Sequence, residues 1–293
     1  MDNFNLEGLG VALVTPFRSD FSIDYEALSA LLERLADSEA DYLVVLGTTA
    51  ETPTLSREEQ ASIRKFVVDK INGRMPLVLG CGGNNTLEII NILKQDDFSG
   101  FSAILSVVPQ YNKPSQEGIF LHFSAIAEAS PLPVILYNVP GRTGVNMNAE
   151  TTLRLAASSH KFLGIKEASG SMAQVEKILK EKPSHFKVVS GDDALTLPMM
   201  ALGASGVISV LGNVRPDRFG RMVHCCLKGD FDEARTIHNS LLTLTRLLFA
   251  EGNPAGIKSA LSTEYNIENV LRLPLVPVSE KTAIEIKEAL MRL

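Results

Sequence analysis

Short apolar runs alternate along the chain with longer segments in which apolar residues recur every three or four positions. The short runs are nearly continuous in Val, Ile and Leu, as in Val134–Leu136, which is typical of parallel strands buried on both faces. The longer segments have the period of amphipathic helices. The predicted strands span 8–17, 42–48, 76–82, 101–109, 133–140, 162–168, 186–191 and 205–210, and the predicted helices span 24–38, 56–72, 86–97, 115–129, 149–158, 171–181, 193–202 and 216–228. The pattern therefore contains eight consecutive strand–helix units.

Eight such units predict an α/β protein, a (β/α)8 TIM barrel over residues 1–228, followed by a C-terminal helical region at 229–293. In the second part only helical periods remain, near 230–250, 254–263 and 279–292. A doubly wound open sheet is the alternative, but no Gly-x-Gly-x-x-Gly fingerprint follows the first strand. Helix start signals support the assignment: Asp24 and Ser279 precede predicted helices, and Ser56 and Glu59 have capping-box spacing.

The composition predicts a large folded domain without nucleic-acid or membrane partners. The chain has 293 residues, of which 45% are hydrophobic and 21% charged, and its net charge is −6. No basic cluster is present, which argues against nucleic-acid binding. Residues 1–5 are polar and acidic, unlike a signal peptide, and no apolar run is long enough to cross a bilayer. We therefore expect a cytoplasmic protein.

Cysteine and histidine give no metal or disulfide pattern. The three cysteines are an odd number without Cys-x-x-Cys spacing, which predicts buried, reduced thiols. The five histidines are scattered without a pair at metal-ligand spacing. We therefore expect chemistry that uses no metal.

The sixth predicted strand carries a lysine within an apolar run. Side chains alternate along a strand, so Leu163 and Ile165 are expected on one face, and Phe162, Gly164, Lys166 and Ala168 on the other. Burial makes an ammonium group costly and favours a neutral amine, which can attack a carbonyl and form a Schiff base. The alternative for Lys166, considered alone, is a lysine at a strand end with its charged group in water.

Polar residues also follow the other strands, at the barrel end where TIM-barrel catalytic residues lie. They are Thr48 and Thr49 after the second strand, Tyr111 after the fourth, Tyr137 and Arg142 near the end of the fifth, and Ser190–Asp193 near the end of the seventh. Each alone has an ordinary structural explanation, such as turn capping, core packing or a solvated charge. Their occurrence together, one group at each of several strand ends, predicts a single site that includes Lys166.

Four of these segments resemble the pyruvate-dependent class I aldolases of the N-acetylneuraminate lyase superfamily, and within them the dihydrodipicolinate synthase family. The segments are 47–51, 137–144, 164–170 and 190–193, in the order the family has them, and the C-terminal region resembles the family's helices. The resemblance implies a lyase that condenses pyruvate with L-aspartate 4-semialdehyde to 4-hydroxy-tetrahydrodipicolinate, in diaminopimelate and lysine biosynthesis. It implies no metal or organic cofactor.

The resemblance also implies roles for individual residues. Lys166 would form the Schiff base, and Tyr137 would donate and accept protons through a relay with Thr48 and Tyr111. Tyr111 would come from the neighbouring subunit of a tight dimer, within a homotetramer built as a dimer of dimers. The substrate-binding residues would be Thr49, Ile208, Arg142 and Gly191, with Arg142 on the carboxylate of the semialdehyde. These roles suit the groups, since hydroxyls both donate and accept and a guanidinium matches a carboxylate. No role follows from the sequence for Glu167, Asp192 or Asp193.

Two departures from the family pattern bear on the dimer and on regulation. Gln110 stands where many relatives carry an aromatic residue, so the dimer interface must pack differently from theirs. In relatives inhibited by lysine, an interface cleft is lined at positions matching Pro53, Arg57, Gln60, Asn84, Glu88 and Gln110. Only Asn84 and Glu88 keep the pattern, which predicts weak or absent inhibition by L-lysine.

Two other functions remain open at the level of sequence. An N-acetylneuraminate lyase or a 2-keto-3-deoxy sugar acid aldolase would share the lysine and tyrosine, but Arg142 after Pro-Gly favours the amino-acid semialdehyde. A non-catalytic barrel that binds a keto acid would be expected to lose Lys166 or a relay residue, and this chain retains them.

Overall fold

The computed structural model describes residues 4–293, so residues 1–3, part of the segment judged unlike a signal peptide, lie outside the described residues. Eight parallel strands follow one another around a closed barrel, and the last pairs with the first. This closure confirms the predicted fold class and excludes the open sheet, because the first strand has a partner on both sides. The strands are β1 Gly8–Ala12, β2 Tyr42–Val45, β3 Leu77–Gly80, β4 Ala103–Val107, β5 Val134–Asn138, β6 Phe162–Glu167, β7 Lys187–Ser190 and β8 Gly206–Ser209.

Helices surround the barrel and form the C-terminal region. Asp24 and Ser279 cap helices as predicted, and Ser56 with Glu59 forms the predicted capping box. The helices of the described residues are α1 Tyr25–Ala36, α2 Arg57–Ile71, α3 Thr86–Gln95, α4 Gln116–Ala129, α5 Pro140–Thr143, α6 Ala149–Ser158, α7 Met172–Glu181, α8 Thr196–Ala201, α9 Pro216–Leu227, α10 Phe231–Phe249, α11 Ala255–Glu264 and α12 Glu280–Met291. None of these helices is long and apolar enough to cross a membrane.

The strands end earlier than predicted at their C-terminal ends. Short 3-10 turns at Thr48–Ala50, Thr52–Thr54, Asp193–Leu195 and Leu211–Asn213, and the short helix α5, follow the observed strands at this end of the barrel. Proline and hydroxyl or carboxylate side chains favour such turns over an extended chain. The polar residues of the predicted site therefore lie largely on turns that cover the barrel mouth.

The alternation predicted for β6 is wrong in its first half. The register of β6 against β5 shifts at Leu163, which has no partner residue on β5. Phe162 consequently packs between the barrel and the helices together with Ile165, whereas Leu163 packs inside the barrel. Beyond the irregularity the alternation holds: Gly164 approaches an interior leucine, and Lys166 faces the barrel interior with it.

The C-terminal helices are packed onto the barrel. Helix α10 lies against α8 and α9, and α11 and α12 lie against α10. Helix α11 also contacts the 3-10 turn Leu211–Asn213, which follows β8. The C-terminal region thereby reaches the end of the barrel at which the polar strand ends meet.

Candidate active site

A cavity of about 1340 Å³ opens at the C-terminal ends of the strands. This is the end at which TIM-barrel enzymes place their active sites. Six of the predicted site residues line it, and these are Thr48, Thr49, Tyr137, Arg142, Lys166 and Gly191. The structure thus brings together most of the residues that the sequence distributes over four strand ends.

Lys166 and Tyr137 are neighbours at the base of this cavity. They are paired residues on β6 and β5, and the Nζ atom of Lys166 lies 4.5 Å from the centroid of the Tyr137 ring. Both are buried, with 6% and 7% of their surfaces exposed. Within residues 4–293, Lys166 takes part in no salt bridge and no side-chain hydrogen bond. The amine therefore meets the cavity with an aromatic ring beside it and no carboxylate partner.

Gly191 makes room for the lysine side chain. A Cβ atom at this position would lie 2.6 Å from Cβ of Ala168 and 3.0 Å from Cε of Lys166. Both distances are shorter than a van der Waals contact, so any larger residue would displace the stem of Lys166. The requirement for glycine here is one of space, at the end of β7 beside β6.

The outer side of the same strand ends is fixed by a buried carboxylate. Glu167 points away from the interior and accepts hydrogen bonds from the Nδ2 of Asn138 at 3.1 Å, the Nε2 of Gln174 at 3.0 Å and the N–H of Ser169 at 2.7 Å. Asn138 follows Tyr137 on β5, and Glu167 follows Lys166 on β6. Glu167, for which the sequence suggested no role, therefore holds together the two strand ends that carry the lysine and the tyrosine.

Asp192 and Asp193, which follow β7, also have structural roles. Asp192 accepts hydrogen bonds from the N–H groups of Ala194 and Leu195 and so begins a 3-10 turn. Asp193 is buried and accepts from the N–H groups of Val210 and Leu211 after β8. Burial raises the pKa of Asp193 to about 6. The two carboxylates fix the loops after β7 and β8 at the barrel mouth.

Asn253 was missed by the sequence analysis. Its Nδ2 donates to Oγ1 of Thr49 at 3.0 Å, and its backbone carbonyl oxygen accepts from Nη2 of Arg142 at 3.1 Å. One buried residue from the segment between α10 and α11 therefore contacts both residues expected to bind substrate carboxylates. Asn253 is 204 positions from Thr49 in the chain, and the local pattern around it resembles an ordinary loop.

Two predicted site residues do not line the cavity. Tyr111 is 88% exposed and has a left-handed backbone, φ 69°. Ile208 lies in the barrel interior on β8 but not among the residues that line the cavity. Among residues 4–293, the hydroxyls of Thr48, Tyr111 and Tyr137 form no hydrogen bond with one another. The expected proton relay is thus not assembled by this single chain.

The cavity continues from Lys166 into the region expected to bind lysine in some relatives. Arg57 forms a salt bridge with Glu88 at 2.6 Å, and Nδ2 of Asn84 donates to the backbone carbonyl oxygen of Gln110 at 3.2 Å. Pro53 and Gln60 line the same part of the cavity. The prediction of weak or absent inhibition by lysine stays a prediction.

The cysteines are free, and Cys225 and Cys226 are buried as expected, but Cys81 is only partly buried, beside the cavity. Within the described part of the chain no group of three or more His, Cys, Asp or Glu side chains is arranged to hold a metal ion.

Comparisons with known proteins agree with this geometry. The sequence model of the Dihydrodipicolinate synthetase family matches residues 5–293. The 4-hydroxy-tetrahydrodipicolinate synthase of Parabacteroides distasonis is 57% identical over 293 residues, which cover 100% of this chain and 99% of the relative.

Two crystal structures extend the agreement to the fold. The dihydrodipicolinate synthase from Aquifex aeolicus is 40% identical, with a TM-score of 0.94 and 98% of each chain covered. The dihydrodipicolinate synthase from Acinetobacter baumannii, complexed with pyruvate, is 38% identical, with a TM-score of 0.95 and 98% and 99% of the two chains covered. The matches confirm the enzyme class expected from the sequence, a lyase of diaminopimelate and lysine biosynthesis. The chain belongs to the dihydrodipicolinate synthetase family.

Proposed function

We propose that Lys166 is the nucleophile through which this chain condenses pyruvate with L-aspartate 4-semialdehyde. The observation that carries the proposal is the position of its amine, which is buried in the cavity beside Tyr137 and forms no salt bridge with any carboxylate of residues 4–293. The family and the relative that is complexed with pyruvate support pyruvate as the keto acid. The chemistry uses no metal or organic cofactor.

The reaction begins with the neutral amine of Lys166. It attacks C2 of pyruvate, and loss of water from the carbinolamine gives a protonated imine. The imine acts as an electron sink, so the methyl group at C3 loses a proton and an enamine forms. C3 of the enamine then attacks the aldehyde carbon of the semialdehyde, whose oxygen takes up a proton to become a hydroxyl. Finally the amino group of the semialdehyde attacks C2, closes the ring and releases Lys166 as an amine.

The position of Tyr137 supports a role for it in moving the protons that these steps require. Its ring lies beside the amine, and a phenol can both donate and accept a proton. The relay partners are Thr48, which lines the cavity, and Tyr111 of a neighbouring subunit. The exposure of Tyr111 in the single chain is consistent with a side chain that is used by a second copy.

The carboxylates of pyruvate and of the semialdehyde are assigned to different parts of the barrel mouth. Thr49 holds the carboxylate of pyruvate through its hydroxyl and backbone N–H, with the backbone at Ile208 and the space at Gly191 nearby. Because Asn253 already donates to the Thr49 oxygen, the hydroxyl hydrogen of Thr49 is left for a carboxylate. Arg142 binds the carboxylate of the semialdehyde in two-point fashion.

The relay needs a tyrosine from a second chain and so at least a dimer, and the assembly that we propose is the homotetramer, a dimer of dimers, that the family resemblance implies. In this arrangement residues 1–228 form the catalytic barrel and residues 229–293 a helical region that closes one side of its mouth. The location that we propose is the cytoplasm.

The test compares substrates with purified protein. Pyruvate with L-aspartate 4-semialdehyde, monitored by a coupled reductase, is assayed beside N-acetylneuraminate and 2-keto-3-deoxygluconate. Turnover of the first pair alone is expected. Faster cleavage of a sugar acid would contradict the substrate assignment, and reactivity with neither class, despite pyruvate binding, would favour a keto-acid-binding barrel.

A further inference from the structure

A second lysine is buried more completely than Lys166, and the proposed mechanism does not use it. Lys258 lies on α11 and has no exposed surface. Its Nζ is 2.5 Å from Oε1 of Glu51 and donates to the carbonyl oxygen of Val270 at 2.8 Å. Burial lowers the pKa of Lys258 to about 8, although the carboxylate of Glu51 opposes the shift. Lys258 does not line the cavity, so its amine is not placed to meet a substrate.

A fully buried ion pair needs a reason other than stability. The desolvation of two charges offsets most of their attraction, and an apolar pair of the same volume is often as stable or more stable. The position of Glu51 suggests the reason. It is the residue that follows the 3-10 turn Thr48–Ala50, two positions after Thr49.

Glu51 is held in a conformation that glutamate rarely adopts. Its φ is 57°, in the left-handed region, where the backbone of a residue other than glycine is strained and persists only if the surroundings hold it. The carboxylate supplies the fixation: besides Lys258, its Oε2 accepts the N–H of Arg272 at 3.0 Å. The end of the threonine turn is thus tied to the C-terminal region by its own side chain.

Two further contacts make this attachment rigid. The ring of Phe17 contacts both cations, with its centroid 4.1 Å from Nζ of Lys258 and 4.4 Å from the guanidinium carbon of Arg272. On the barrel side, Oγ1 of Thr15 donates to the carbonyl oxygen of Ala50 at 2.8 Å. The turn is therefore held from the first strand loop and from α11, and Lys258 is its deepest contact on the α11 side.

We propose that Lys258 is a positioning residue for the keto-acid site, fixing through Glu51 the turn that carries Thr48 and Thr49. The inference rests on the proposed role of that turn in binding pyruvate. It predicts that breaking the pair moves the threonine groups away from the carboxylate of pyruvate, while Lys166 on β6 stays in place.

The experiment measures the pyruvate concentration that gives half-maximal Schiff-base trapping by borohydride, with intact mass as the readout, in the full chain. Lys258→Met and Glu51→Gln are each expected to raise this concentration by about tenfold, as misplacement of a binding group does. Trapping at saturating pyruvate is expected to persist in both, because Lys166 is untouched.

The double variant Glu51→Gln/Lys258→Met distinguishes a misplaced threonine turn from a loss of folding stability. It leaves no unpaired buried charge, so its melting temperature is expected to exceed that of Lys258→Met, and it folds even where the single variant does not. Its half-saturating pyruvate concentration is expected to stay raised, no further than in the single variants, because the same tether is missing.

Glu264→Gln is the matched control, since Glu264 is on the same helix and forms an ion pair with Arg215 away from the cavity. It is expected to lower the melting temperature and to leave the half-saturating pyruvate concentration within about twofold of that of the unmodified chain. The inference would be overturned if the double variant regained both its stability and the half-saturating pyruvate concentration of the unmodified chain. It would also be overturned if Lys258→Met folded and its half-saturating pyruvate concentration were unchanged. No adduct in the unmodified chain would instead contradict the proposed function, on which the inference rests.

Discussion

The two buried lysines differ in their surroundings more than in their burial. Lys166 lies at the base of an open cavity with an aromatic ring beside it, and within residues 4–293 no carboxylate forms a salt bridge with it. Lys258 is sealed between α11 and the threonine turn, 2.5 Å from a buried glutamate. The first environment leaves an amine accessible to a carbonyl compound, whereas the second fixes a cation as a structural contact. Burial alone therefore does not identify a nucleophilic lysine. The distinguishing features are whether a carboxylate pairs with the amine and whether the amine is accessible from a cavity.

The largest effect is expected for the replacement of Lys166. Lys166→Met should reduce synthase activity by at least about a thousandfold, because the covalent route is lost. The free energy of unfolding should change by less than about 1 kcal/mol, since no buried partner is left unpaired. Activity assays and urea titrations together check this. Substantial residual activity would remove Lys166 from the mechanism.

The same substitution at Lys258 is expected to have the opposite profile. Lys258→Met leaves the carboxylate of Glu51 buried without its cation, which should cost on the order of 3–5 kcal/mol of folding stability. Urea or thermal unfolding measures the loss. If Lys258→Met were as stable as Lys166→Met, the contrast between the two environments would be wrong.

A smaller effect is expected from crowding Lys166. Gly191→Ala places a methyl group against Ala168 and the stem of Lys166, which should cost about 1–3 kcal/mol of stability. It should also slow adduct formation by about a hundredfold, because the amine is displaced. Gly141→Ala is the control, since its methyl group would meet no atom of residues 4–293 within 4 Å. Rapid trapping in Gly191→Ala would show that the position of the amine is not constrained.

The smallest effect is expected on the pH dependence of stability, through the protonated form of His224. His224 on α9 lies 2.9 Å from Asp41 and 3.1 Å from Glu39, and the Asp41 carboxylate, more than Glu39, raises the pKa of His224 above its usual 6.5. A raised pKa means a contribution to stability that is present below the unfolded pKa and lost as pH rises through the folded pKa. The free energy of unfolding should therefore fall as the pH rises above about 6.5, and fall more in the unmodified chain than in His224→Gln. Equal pH dependence in the two proteins would contradict the assignment.

The sequence predicted the barrel because its hydrophobic periods are local. Helix caps such as Ser56 with Glu59 depend on residues three positions apart, and the structure confirms them. The strand ends could not be placed in this way, because the predicted strands run a few residues past the last residue of each observed strand, as β2 ends at Val45 and the turn Thr48–Ala50 soon follows. The irregularity at Leu163 was also missed, since it depends on the register with β5, which no pattern within β6 reveals.

The site was predictable only where it follows the strands. Lys166, Tyr137 and Arg142 lie at or near strand ends, and the barrel geometry brings such ends together. Asn253 and Lys258 come from the C-terminal region, more than 200 positions from Thr49 and Glu51, and contact them only through tertiary packing. A lysine within the apolar start of α11 was visible in the sequence, but its partner was not.

The most direct measurement is the location of the pyruvate adduct. The unmodified chain is incubated with pyruvate, reduced with borohydride so that the imine becomes a stable secondary amine, digested, and mapped by mass spectrometry. The adduct is expected on the peptide that contains Lys166, with none on the peptide that contains Lys258. An adduct on Lys258, or on neither lysine, would contradict the assignment of the nucleophile.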